Sequence, residues 1–76
     1  MTSLDQLAVG QTARIAAIDG ADAIGQRLME MGLLEGETVE VVGFAPLGDP
    51  IEIRLQDYRL SLRRTEAARV RVTVSA

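Results

Sequence analysis

The sequence predicts a mainly β fold, a small barrel of about five strands with one inserted helix at about residues 21–31 and a short helical turn near residues 65–67. Three observations point there. The chain has 76 residues, room for a single domain whose folding buries only about 60% of the surface exposed by the unfolded chain. Apolar and polar residues alternate in several short runs, the period of half-buried strands, whereas helical spacing dominates one region. So few short strands leave exposed edges and a one-sided core unless the sheet curls closed.

The first strand is expected from Gln11 to Ile18. Alanines dilute its alternation, so the buried face of Ile15 and Ile18 stays open from pattern alone. Ala21, Ile24, Leu28 and Met31 then recur at spacings that mark one helical face, behind Asp19 and Asp22, residues suited to a helix start. Gly32 ends the helix, because glycine suits the left-handed residue just past a helix end, and Leu33 can fold back onto the last turn. Gly25 costs about 1 kcal/mol relative to alanine inside a helix, which reflects either a close backbone approach or mere tolerance. Met31 reads as core, and Met29 as open between core and surface.

After a turn at Glu35-Gly36, Val39 and Val41 alternate with Thr38 and Glu40 in a strand that continues towards Phe44. Pro46-Leu47-Gly48-Asp49-Pro50 interrupts the sheet. Ile51, Ile53 and Leu55, then Tyr58, Leu60 and Leu62, form the clearest alternation. With Gln56-Asp57 as a two-residue turn, Leu55 faces Tyr58, Ile53 faces Leu60 and Ile51 faces Leu62, and a slip of one residue would bury charges instead. A short turn around Thr65-Glu66-Ala67 leads to a last strand with Val70, Val72 and Val74 directed inward.

Composition narrows function. There is no cysteine, histidine or lysine, and the formal net charge is -3, which opposes a general nucleic-acid-binding face. Without histidine or cysteine, and with no base beside Ser61 or Thr65 in sequence, an enzyme is not expected. No lysine-containing phosphate loop exists either. The start Met1-Thr2-Ser3-Leu4-Asp5 lacks a basic segment followed by an apolar run, and no stretch approaches the roughly 20 apolar residues of a membrane span, so a cytoplasmic location is expected. Asp19 to Asp57 holds nine acids and two arginines, whereas Tyr58 to Ala76 holds five arginines and one acid. That is the distribution of an acidic part folded against a basic part.

Leu4, Leu7, Gly10, the run Arg27-Leu28-Met29-Glu30-Met31-Gly32-Leu33, the Pro46–Pro50 loop, and Leu62-Arg63 with Glu66-Ala67 together resemble the FeoA family, over roughly Leu4 to Val74. The combination carries the resemblance. It implies a single domain over residues 1–76 with an SH3-like barrel, acting as a small accessory protein of bacterial ferrous iron uptake beside FeoB, a membrane GTPase-transporter. A FeoB-type partner is therefore expected, with self-association as a further expectation.

Candidate partner-binding residues are Leu33, Leu34, Pro46, Leu47, Gly48, Arg54, Arg59 and Arg63. Two prolines stiffen the loop around Leu47, which either presents an apolar anchor or folds under to plug the barrel end. Arg54 lies opposite Arg59 on the outer face, a like-charge pair that costs a few tenths of a kcal/mol and has no internal purpose. Those arginines, with Arg63, face an acidic surface, or Glu52 diagonally, or water. No cofactor is expected beyond weakly bound ferrous iron, for which Glu35, Glu37 and Glu40 near one turn are the candidate ligands; carboxylates alone make a poorly selective site.

Overall fold

The computed structural model describes residues 2–74. A six-stranded antiparallel sheet follows the order β1-β6-β2-β3-β4-β5, with β1 at Thr2–Ser3, β2 at Thr12–Ile18, β3 at Thr38–Phe44, β4 at Ile51–Leu55, β5 at Tyr58–Leu62 and β6 at Val70–Val74. Helix α1 spans Ala23–Glu30, α2 spans Arg64–Ala67, and a single 3₁₀ turn covers Leu4–Gln6. β1 lies beyond the five expected strands. It pairs Thr2 with Val72 and Ser3 with Arg71, and two residues are too few to show an alternation.

The β4–β5 hairpin has the expected register, from Leu55 opposite Tyr58 to Ile51 opposite Leu62. β2 answers the question its alanines left open: a bulge at Ala16 interrupts its register with β6. One extra residue lets Ile18 join Ala13 and Ile15 on the inner side, although Ile15 and Ile18 are three apart. β6 departs at its end, where Val74 is exposed while Val70 and Val72 are fully buried.

Helix α1 begins later than expected because Asp22 is its N-cap, its Oδ1 accepting the Gly25 N–H at 3.1 Å. Its buried face is also rotated from the expected one. Gly25 and Leu28 are buried and Met31 packs against the core, but Ala21 and Ile24 are exposed. The cause is a close approach: a Cβ on Gly25 would lie 2.4 Å from the Gly20 carbonyl oxygen, so the helix presents bare backbone there. Gly32, at φ 104, ends the helix as expected. Its N–H bonds the Met29 carbonyl and that of Leu33 bonds the Leu28 carbonyl, the paired bonds of a Schellman cap.

The core draws Ile, Leu and Val from all five longer strands and adds Leu4, Leu28 and Leu33, each fully buried. Burying such a side chain contributes about 1.5–3 kcal/mol. The edge strands β1 and β5 are not paired with each other. Instead the 3₁₀ turn after β1 packs on α2 after β5, so the seam of the barrel is bridged by helical turns. The two charge-segregated parts meet as expected, through Arg69 with Asp22, Arg71 with Asp19 and Arg59 with Glu52.

Candidate functional site

Leu47 is 96% exposed. The turn beneath it is closed by the Gly48 N–H on the Ala45 carbonyl at 2.7 Å, and the Ala45 N–H on the Pro50 carbonyl at 3.0 Å. Pro46 fits the second position of that turn, and Gly48 supplies a φ of 84. Arg64 ties the loop to the rest of the domain. Its backbone N–H donates to Asp49 Oδ1 at 3.1 Å, Nη1 donates to the Gly48 carbonyl at 3.0 Å, and Nη2 donates to the Asp5 carbonyl at 3.3 Å. The loop therefore holds its leucine outward rather than plugging the barrel.

Sequence reasoning gave Arg64 no role. Its partners are backbone carbonyls and a carboxylate brought near by folding, and no spacing marks them.

The remaining candidates divide. Leu33 is a correction: it is 0% exposed, folded under the end of α1 into the core, and cannot face a partner. Its neighbour Leu34 is exposed. Leu34 belongs to a different hydrogen-bonded unit from Leu47, since its carbonyl accepts the Glu37 N–H in the turn leading to β3.

Arg54 and Arg59 do stand opposite each other, but the expectation that the pair has no internal purpose is corrected. Arg54 bonds Glu40 on β3, and Arg59 reaches Glu52 diagonally at 3.3 Å. Each guanidinium is thus balanced by a carboxylate. Arg63 forms no ion pair among the described residues; its backbone N–H donates to Glu66 Oε1 at 2.9 Å. Glu66 is mostly buried and also pairs with Arg27, linking α2 to α1.

The three glutamates are corrected as a metal site. Glu37 accepts from Gln56 Nε2 at 2.8 Å, Glu40 is held by Arg54, and Glu35 is exposed. Among the described residues no group of three acids is gathered closely enough to hold a metal ion.

Asp22 carries the largest electrostatic perturbation. Arg69 grips both of its oxygens, at 2.6 and 2.8 Å, and the Gly25 N–H adds a third bond, so its carboxyl titrates well below the usual range. No helix of the described residues is long and apolar enough to cross a membrane.

The FeoA domain family matches the chain over residues 2–74. The chain belongs to the FeoA domain family. A curated relative from Porphyromonas gingivalis, a fusion of Fe(2+) transport protein A with the Fe(2+) transporter FeoB, is 42% identical over 69 residues. The match covers 91% of this chain and 8% of that protein, so the chain corresponds to a small part of the relative's length. The solution structure of iron(II) transport protein A from Clostridium thermocellum superposes with a TM-score of 0.91 at 36% identity, over 96% of this chain and 45% of the other. The crystal structure of Stenotrophomonas maltophilia FeoA complexed with zinc, described as a prokaryotic SH3 domain protein, gives a TM-score of 0.84 at 32% identity over 96% and 91%. The FeoA-type SH3-like fold expected from the sequence is therefore the fold observed.

Proposed function

We propose that this FeoA domain is a cytoplasmic accessory module of ferrous iron uptake, which binds a FeoB-type transporter and modulates it through protein–protein contacts. Ferrous iron is cargo of that system in this reading, not a ligand of the chain. The observation that carries the proposal is Leu47, almost wholly exposed at the tip of a loop fixed by Arg64. An apolar side chain held in place before docking loses little conformational entropy on binding. The fused relative supports the choice of partner, because joining two domains in one chain keeps them at high effective concentration.

The test is a titration of the isotope-labelled protein with the soluble GTPase domain of the cognate transporter, followed by NMR. Shifts centred on Leu47 are expected, and Leu47→Asp should abolish them while leaving the free spectrum native. Undiminished binding by Leu47→Asp would remove the loop from the interface. No shift anywhere with the GTPase domain would remove that domain as the docking partner.

A further inference from the structure

β5 ends the sheet, and no strand lies along its outer edge among the described residues. The two-residue turn makes Leu55 and Tyr58 the closing pair of the hairpin, exchanging both backbone bonds. Antiparallel alternation then directs the N–H and C=O of Tyr58, Leu60 and Leu62 towards β4, and those of Arg59 and Ser61 outward. No turn, loop or cap takes up the Arg59 or Ser61 backbone groups among the described residues. The edge is a short, open hydrogen-bonding template, ended by the Arg63 N–H, which Glu66 occupies.

Beyond Ser61 the edge opens into a groove of about 530 Å³ lined by Arg27, Asp49, Pro50, Ser61, Arg63 and Glu66. Its carboxylates are already engaged, Glu66 by Arg27 and Asp49 by the Arg64 N–H. The Arg63 guanidinium has no such partner among the described residues, and the Arg59–Glu52 pair is exposed and readily exchanged. The groove as a whole, two arginines and two acids, carries no net charge, but the outward charged side chains along the edge itself, Arg59 and Arg63, are both positive.

We propose that the free edge of β5 is a docking site for an acidic, extended segment of another protein, added to the sheet as a further strand. Charge selects the occupant. A second copy paired edge to edge and antiparallel about Ser61 would set Arg59 against Arg63 twice, and like charges directly opposite are destabilising. A strand with Glu or Asp at alternate positions sets carboxylates against the same two arginines. Its intervening side chains meet half-buried Leu60 and exposed Tyr58 on the other face, which favours apolar residues there. This site does not depend on the transporter reading or on Leu47.

The test is NMR titration of the full chain with two short blocked peptides, one alternating glutamate with valine and the other lysine with valine. The Arg59 and Ser61 amides should shift and gain protection from exchange with the glutamate peptide alone. Ser61→Pro removes an edge donor where proline is tolerated, and should weaken binding by about tenfold. If that variant fails to fold, Arg59→Glu with Arg63→Glu carries the test, and should transfer the preference to the lysine peptide. Equal binding of both peptides, no shift at Arg59 and Ser61 with millimolar peptide, or full affinity in a folded Ser61→Pro would overturn the proposal. Concentration-dependent shifts at these amides without peptide would assign the edge to a second copy, and overturn it likewise.

Discussion

Tyr58 donates its hydroxyl hydrogen to the Met31 carbonyl at 2.8 Å and in doing so closes over Gly32, where a Cβ would lie 2.0 Å from the phenol oxygen. The left-handed glycine that ends α1 is therefore also the clearance that lets β5 reach the helix. Gly32→Ala should lose about 2–3 kcal/mol, combining the strain of a positive φ with displacement of the tyrosine. Tyr58→Phe should lose about 1 kcal/mol. In the Tyr58→Phe background Gly32→Ala should cost less than alone, because the clashing oxygen is gone; urea unfolding of the four proteins checks the cycle.

Gly25→Ala tests the opposite intuition. In an exposed helix interior this substitution stabilises by about 1 kcal/mol. Here the new Cβ meets the Gly20 carbonyl, a backbone atom that cannot swing away, so the midpoint of urea unfolding should fall rather than rise.

The Asp22–Arg69 pair predicts a pH dependence of definite sign. The native carboxyl is held below its ordinary value, first by the Arg69 guanidinium and then by the Gly25 N–H. Its contribution is complete above the unfolded carboxyl value of about 3.9 and fades as pH falls through the native one. Asp22→Asn should unfold more readily than the native chain at pH 7, and the gap should narrow as pH drops from about 4 to about 2. Thermal melts across that range measure it; a constant gap would contradict the assignment.

Arg64→Ala removes two side-chain hydrogen bonds at once and should cost about 1 kcal/mol. The diagnostic readout is local. Amide exchange should quicken at Gly48, and the 3₁₀ turn around Asp5 should loosen with it.

Leu47→Ala should leave stability within about 0.5 kcal/mol of the native chain, because the side chain touches water on nearly every side. A larger loss in urea unfolding would mean that the leucine packs inward in solution.

The parts of this fold legible in the sequence are those with a short-range signature. Only one register of the β4–β5 hairpin buries apolar pairs without burying arginine, so alternation alone fixes it. Gly32 followed by Leu33 announces the end of α1, and the same signature implies that Leu33 is buried, which its candidacy for an interface overlooked. The charge partners were less accessible. Arg54 reaches Glu40 across β3 and β4, whose register shifts at Val42, and no local pattern reports such a bulge. Leu47 lies in a turn without a period, closed by its own backbone bonds and tied down by Arg64, a residue 17 positions further along the chain. The rotation of α1 arises from Gly20 meeting Gly25, a contact made by atoms that residue type alone does not reveal.

The pairing of β1 with β6 has a consequence for how the domain can be tethered. Because Thr2 lies beside Val72 and the two strands run in opposite directions, the described residues begin and end at the same corner of the barrel. A linker at either end would grip that corner alone, and the body of the barrel would pivot about it. Contacts too weak to persist between separate molecules become sufficient once their encounter is confined to the arc such a pivot sweeps.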